Sequence, residues 1–462
     1  MSHRINPVIL NHAFLMMNPS PHMPFWVKVL SLLSLSLLLW SLTRGLAQAE
    51  SAADGFWPQW RGPLCTGVAP HADPPVTWSE TTNVKWKMPI PGEGDSTPIV
   101  WDNRVFLLSA IATGKKLTVP VPANAPNEIY QWVVICLDRR QGKVLWQKTA
   151  REEAPHEGHQ QNNTFASASP VTDGKLLLAY FGSRGLHCYD LQGNVIWEKD
   201  FGKMKTKMGF GEGGSPALSG NTVVVNWDTE GGAFITALDK QTGKELWRTP
   251  RDEDASWSTP LILEFNGQKQ VVVIASKKAR SYDLATGKEI WSCSTPVQNA
   301  IPCPVAADGL VFLASGSRGS AVQAIRLGRV GDLTGSDAIV WSHDKGTPPV
   351  PSPLLTDNFL YVLQGSDAIV SCFNAKSGDE YFDRERVAAI HSVYASPVSA
   401  KDRIYILSRE GTCVVVRKGP KMEVLAVNKL DNDTDRCDAS MALVGGEAFV
   451  RTPHHLYCIA RP

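Results

Sequence analysis

A unit that returns mostly every 44–49 residues governs what this chain can fold into. Each unit opens with Ser-x-Pro or a relative and continues through a strand, a Gly turn and a second strand. It ends in Asp-x-x-x-Gly-x-x-x-Trp or a near variant. The anchoring prolines are Pro98, Pro170, Pro216, Pro260, Pro304, Pro353 and Pro397, at intervals of 72, 46, 44, 44, 49 and 44 residues, and Met441 takes the slot 44 residues further on. The closing signature runs from Asp138 to Trp146, Asp190 to Trp197, Asp239 to Trp247 and Asp283 to Trp291; Asn374 to Phe382 is a degenerate copy, and Trp341 ends a unit with an insertion at 326–339. A period in the forties with about four short strands per unit is that of a propeller blade.

The residues inside the unit agree with that architecture. Val105 to Leu108, Leu176 to Tyr180, Val223 to Val225 and Val271 to Ile274 are near-continuous apolar runs, as strands buried on both faces require. Gly142, Gly193, Gly243 and Gly287 fall where a tight turn needs positive φ. The Asp that opens each of those turns can accept from its own backbone two residues on. The signature Trp is placed to cover apolar area between neighbouring blades. The eighth unit stops at Pro462 before any Trp strand, and the missing strand stands at the other end, Asn83 to Met88, with Trp86 in the repeat slot. The expectation is therefore an all-β, eight-bladed propeller of four-stranded antiparallel blades over residues 76–462, closed by an N-terminal strand that removes two sheet edges. Eight blades give roughly 48 residues each.

Ahead of the ring lie two further segments. Val29 to Leu42 is an uncharged stretch of 14 residues after Lys28, and it leads to Ala47-Gln48-Ala49, a small-x-small cleavage pattern. A span of that length suits a signal peptide over residues 1–49 better than a bilayer crossing, which takes about 20 apolar residues. Residues 50–75 then form an N-terminal extension. The reading places the protein in an exported compartment, the periplasm, cell envelope or exterior, with no membrane span after cleavage. Without residues 1–49 the chain carries 43 basic against 45 acidic side chains, so it offers no basic excess for a nucleic-acid backbone. The nine cysteines include no CxxC; Cys136, Cys188, Cys372 and Cys458 occupy one repeat position as small core residues. Cys293 with Cys303, or Cys65 with Cys437, are candidate disulfides in an oxidising compartment.

Candidate ligand residues gather in the elaborated early units. Residues 111–131, the long link 147–166, Gly209 to Glu212, Asn226 to Glu230 and Arg251 to Trp257 are all expected on one rim, over blades 1 to 4. Asp228 and Glu230 read as paired carboxylates or as an ordinary polar hairpin. Arg251 is an anion contact or a partner for Asp252 or Glu253, itself a candidate. Trp257 has no repeat slot and is a stacking surface or a plug. Asn163, like Asp95, Asn299, His391 and Asp438, precedes an inner strand where a channel mouth is polar. His156 and His159 around Glu157 have metal-ligand spacing or form a solvated loop. Asp431 to Asp435 begins like a calcium loop but has Arg436 and Ala442 where Gly and Glu belong.

The Asp-x-x-Thr-Gly-Lys-x-x-Trp units at 239–247 and 283–291 resemble the pyrroloquinoline-quinone (PQQ) repeat. Trp57-Pro-Gln-Trp-Arg-Gly-Pro63 resembles the opening of exported bacterial propellers of that PQQ-like family. The family spans quinone-dependent alcohol dehydrogenases, the scaffold lipoprotein of the outer-membrane barrel assembly machine, and members without an assigned role. The dehydrogenase likeness implies a quinone between a Trp and an adjacent-Cys disulfide, beside Ca²⁺ and a catalytic Asp. This chain has no Cys-Cys pair and no CxxCH. The expectation is a non-enzymatic binding or scaffold protein for a protein or saccharide on the rim. The alternative is a quinone- or metal-dependent oxidoreductase using PQQ with Ca²⁺ under the same loops.

Overall fold

The computed structural model describes residues 53–462 apart from 123, 295–298, 317–320 and 431–435. The leader with its cleavage pattern and the calcium-like loop at 431–435 lie outside the described residues. Eight sheets of four antiparallel strands follow one another, each blade opening at an innermost strand beside the axis. In chain order these inner strands are Ile99–Trp101, Val171–Thr172, Ala217–Ser219, Leu261–Phe265, Val305–Ala307, Leu354–Thr356, Val398–Ala400 and Ala442–Val444. Blade 8 lies against blade 1, which closes the ring. Its outermost strand is Val84–Pro89, paired antiparallel with His455–Ala460 with Trp86 opposite Cys458, so the closing strand is the N-terminal one.

The repeat signature is a clamp between blades. Each outermost strand carries a register shift at the same place, and except in blade 7, where Ala426 holds the slot, the bulged position carries a Trp or Phe. Trp86, Trp146, Trp197, Trp247 and Trp341 donate their indole N–H to carbonyls of Arg139, Leu191, Lys240, Leu284 and Ala375, at 2.8–3.1 Å. Each acceptor lies in the following blade's Asp-Gly turn. The glycine of that turn rests on the indole: a Cβ at Gly142, Gly193, Gly243, Gly287 or Gly378 would lie 2.4–2.8 Å from ring atoms of the preceding Trp. Cys136, Cys188, Cys372 and Cys458 are the small residues paired with Trp146, Trp197, Phe382 and Trp86, which accounts for their shared position.

Blade 4 is joined differently. The indole N–H of Trp291 is buried with no partner. The blade 5 insertion instead lays Gly331–Asp332 parallel to Trp291–Ser292 as a fifth strand. A second interlock runs around the axis. The backbone N–H of Thr97, Ser169, Ser215, Thr259, Cys303, Ser352 and Ser396 each donates to the side chain of the matching residue one blade on, from Ser169 through to Ser440, at 2.7–3.0 Å. Cys303 is one member of that chain, accepting through sulfur. All nine cysteines are free thiols, so neither proposed disulfide pair is bonded. Cys303 lines a small cavity together with Cys65 rather than pairing with Cys293.

Two glycines separate the cost of the clamp from the cost of the turn. Gly243 and Gly267 both have positive φ (68° and 76°), but only Gly243 meets a ring; nothing lies within 4 Å of a Cβ at Gly267. Gly267→Ala should cost about 1–2 kcal/mol for the left-handed backbone. Gly243→Ala should cost about 1–3 kcal/mol more for forcing Trp197 aside. Urea midpoints of the two variants test this, and equal losses would contradict the clamp.

Candidate functional site

The N-terminal extension turns the channel into a cup. Trp57 exchanges both backbone hydrogen bonds with Val100 of blade 1, at 3.0 and 2.9 Å, and the Pro58 carbonyl accepts from Thr172 of blade 2 at 2.9 Å. Val68–Ala69 runs parallel to the inner strand of blade 7, and the Thr66 carbonyl accepts from Leu355 of blade 6. Arg61 is the keystone of this crossing. It is 2% exposed and donates to the carbonyls of Pro397 (2.9 Å), Pro353 (2.7 Å) and Thr66 (3.1 Å). Burial brings its pKa down to about 10. Gly67 is obligatory beneath it, since a Cβ there would lie 2.3 Å from the guanidinium. The extension thus plugs one end of the axis and leaves Trp60 facing the space above it.

That space is a cavity of about 640 Å³, open at the other end and lined by every blade-to-blade link. The volume is that of a small-molecule site, roughly 300–1,000 Å³. Trp60, Phe210, Trp257 and Tyr394 supply aromatic surface; Asp95, Asn163, Asn299 and Asp438 supply polar groups. The carboxylates are bound into a cluster. Arg409 makes a bidentate pair with Asp438 (2.7 and 3.1 Å), stacks over Tyr394 at 4.2 Å and donates to the side-chain Oδ1 of Asn162 at 3.0 Å. Arg436 joins Asp438 at 3.1 Å to Asp95 at 3.3 Å. Burial, reinforced by the charge of Asp438 and opposed by Arg436 and Arg451, pushes the Asp95 carboxyl up to about 6. Arg451 is buried behind it, donating to Leu108 O at 2.7 Å and Ser96 O at 3.3 Å, in room left by the missing side chain of Gly94.

The residues singled out in the sequence divide into two groups. Asn163 and Trp257 line the cavity. Asn163 donates to the carbonyls of Phe210 (2.9 Å) and Glu212 (3.2 Å), and Trp257 donates to Gly211 O at 2.8 Å, so both hold the 209–212 link in place. Asp228, Arg251 and Glu253 do not line it. Asp228 and Arg251 form a 2.9 Å ion pair with both side chains fully buried, completed by Ser256 at 2.5 Å and by the Tyr282 hydroxyl at 3.2 Å from Arg251. Glu253 accepts from the backbone of Lys277 (2.8 Å) and Lys278 (3.2 Å) and pairs with Arg280. Glu230 accepts from Ala255 N at 3.2 Å. These acids brace the loops rather than face a ligand, a distinction that sequence position does not carry.

The two histidines face different partners. His156 is held between Met204 O (2.6 Å) and the Arg184 guanidinium (3.1 Å), whereas His159 bonds Gln160 O at 2.9 Å and packs edge-on against Phe165. Glu157 between them accepts from Thr206, at 2.6 Å from its hydroxyl. Among the described residues no group of three His, Cys, Asp or Glu is placed to hold a metal. A Ca²⁺-bound quinone does not fit this cup either. Asp438 is already taken up by two guanidinium groups, and the sulfur platform of that chemistry has no counterpart here. Sequence reasoning passed over Arg409 and Tyr394, which have no motif around them, and met Arg436 only as the residue that departs from a calcium-loop pattern. Asp95, Asn299 and Asp438 were visible only as polar residues before inner strands.

Residues 131–384 and 235–461 match the family model described as outer membrane protein assembly factor BamB. BamB from Moraxella catarrhalis aligns with a TM-score of 0.51 at 13% identity, covering 76% of this chain and 98% of that one. The computationally designed Ika8 protein aligns at 0.47 and 16% identity over 76% of this chain and 97% of its own. A europium-containing methanol dehydrogenase aligns at 0.46 and 12% identity over 90% and 100%. At such identities the likeness is one of fold. No curated protein matches the chain by sequence.

Two variants test the division of roles. Arg251→Met leaves Asp228 buried without its charge partner and should cost about 3–5 kcal/mol in denaturant unfolding; a loss under about 1 kcal/mol would show that the pair is not structural. For Asp95 the sign follows from its raised pKa. Between pH 3.8 and about 6 the folded chain keeps a proton that the unfolded chain has lost, so this residue's contribution falls as pH rises through that window. Asp95→Asn should therefore melt higher than the parent at pH 8, with the difference gone by pH 4. A variant that melts lower at pH 8 contradicts this.

Proposed function

The chain belongs to the BamB-like family of PQQ-repeat propellers, and from that premise and the plugged cup we propose that it is an exported, non-enzymatic binding protein that takes its ligand at the open end of the axis. One observation carries the reading: residues 57–69 spend their hydrogen bonds closing one end of the channel against blades 1, 2, 6 and 7. A propeller needs no such closure to fold, because its ring is completed by Val84–Pro89. Closure does create a concave site with a floor, and a rigid ring carrying loops from every blade suits presentation of that site. Binding without turnover fits the side chains present, since Asp438 is fully occupied by arginines and Asn163 by backbone carbonyls. The leader at 1–49 supports an extracytoplasmic setting, and a scaffold role in the cell envelope follows from the family.

Two measurements on the full chain test this. Pyrroloquinoline quinone at about 100 μM, with and without Ca²⁺, should leave tryptophan fluorescence and melting temperature unchanged. A saturable, Ca²⁺-dependent stabilisation would instead establish the oxidoreductase; at 100 times the dissociation constant it would amount to about 2.7 kcal/mol. On an array of peptides and glycans the labelled chain should give signals that Trp257→Ala removes. Signals that survive that substitution would place binding elsewhere.

A further inference from the structure

We propose that the cup recognises the terminal unit of an uncharged saccharide, held against the Trp257 ring and hydrogen-bonded to Asn299 and Asp95; this rests on reading the cup as the binding site. The first support is an unmet acceptor. Asn299 lines the cavity, is 6% exposed, and its side-chain oxygen is buried without a partner. The residue is held at φ 55°, so its amide is fixed in a backbone conformation that few side chains adopt. An acceptor without a donor, in a residue that lines the cup, is a group that a ligand hydroxyl or a water reaching it would complete. On another part of the wall, Asp95 has one oxygen taken by Arg436 and the second without a protein donor among the described contacts.

The second support is the aromatic surface. Trp257 is partly exposed, its indole N–H is fixed on Gly211 O, and its flank packs against Gly213, where a Cβ would lie 2.9 Å from the ring. It therefore offers a rigid plane rather than a mobile side chain. A sugar ring combines an apolar C–H face with an edge of hydroxyls, and an aromatic plane beside hydrogen-bond acceptors complements both.

Charge removes the competing ligand classes. Asp95 and Asp438 are balanced by Arg436 and Arg409, with Arg451 buried behind, so an ammonium group finds no net negative field. An anion fares no better. The guanidinium of Arg436 is committed to Asp438, Asp95 and the carbonyls of Gln161 and Asn163, and that of Arg409 to Asp438 and the Asn162 side chain. The floor at Trp60 closes the axis, so a chain cannot thread through. The cup admits an end and not a middle.

Asp95 also makes recognition pH-dependent. It faces Asp438, Arg436 and Arg409 across the cavity wall and Arg451 behind it, and it gains a proton as pH falls through about 6. An acceptor that becomes a donor should weaken binding below that pH.

Calorimetry and tryptophan fluorescence of the full chain with glucose, N-acetylglucosamine, cellobiose and maltose test the assignment, with glucosamine and glucuronate as charged controls. At least one neutral sugar should bind saturably and more tightly than either control. Trp257→Ala should weaken it at least tenfold, and Trp257→Phe should restore most of the affinity. Asn299→Gly, which keeps the backbone conformation, should weaken it tenfold without lowering the melting temperature. Tighter binding of a charged control, or neutral-sugar binding that ignores both substitutions, overturns the proposal. Trp257-dependent binding of array peptides without any neutral sugar overturns the saccharide and leaves the cup standing as a binding site. If nothing binds in a Trp257-dependent way, both readings fall.

Discussion

The structure depends on one contact, repeated around the ring: an indole from one blade lying on the glycine of the next blade's turn and donating to that turn's carbonyl. Neither half is useful alone. The turn glycine is required twice over, by its positive φ and by the ring that takes the place of its side chain. The indole reaches it only because a bulge in the outer strand re-aims the side chain. Blade geometry, spacing between blades and the angle at which each follows the last are therefore set by the same few residues. The one joint with an unpartnered indole, between blades 4 and 5, is also the one where the chain adds a fifth strand to cover the edge.

A frame fixed at its periphery and by a hydrogen-bonded chain at its axis leaves the links free to vary. The inner chain consumes the residue just before each anchoring proline, whether Ser, Thr or Cys. Everything upstream of that residue in a link is free of the interlock, and that is where the cup wall is built. Asp95, Asn163, Trp257, Asn299, Tyr394 and Asp438 all lie four to eight residues before an inner strand opens and converge because the ring is closed. The chemistry of the cavity is a property of the ring as a whole, with no single blade owning it.

This arrangement explains what was legible in the sequence. Gly, Trp, Asp and Pro carry the fold through local rules that recur, so the period, the eight blades and the strand borrowed from the N-terminus could be read from their spacing. The cup is made by positions that have no repeat rule. Asp228 and Arg251 were ligand candidates because they fall in elaborated loops; they are buried together as an ion pair, since a loop folded over a neighbouring loop has an inside of its own. Trp257 was found because it has no slot in the repeat, and Asn163 because polar residues recur before the inner strands. Arg409 breaks no pattern and Arg436 stood out only as a departure from a calcium loop; their role appears only when residues far apart in sequence meet across the axis. The plug was equally silent: Arg61 needs carbonyls from Pro353 and Pro397, nearly 300 and more residues away.

The cost of the cup is visible in its groups. Arg61 and Arg451 are buried with carbonyl partners in place of carboxylates, Asp95 is held against its preferred charge, and Asn299 keeps an acceptor open. None of these improves the packing of a blade. Cores that specify only a fold replace such groups with apolar residues, because an unmet or half-met polar atom in the interior disfavours the folded state. Five of the outer clamps complete the bond of the indole that they cover, and only at blade 4 is that indole left without one among the described residues. The demands of the ring and those of the cup are thus met by different residues: the clamps serve the joints between blades, and the half-met groups at the axis serve none of them.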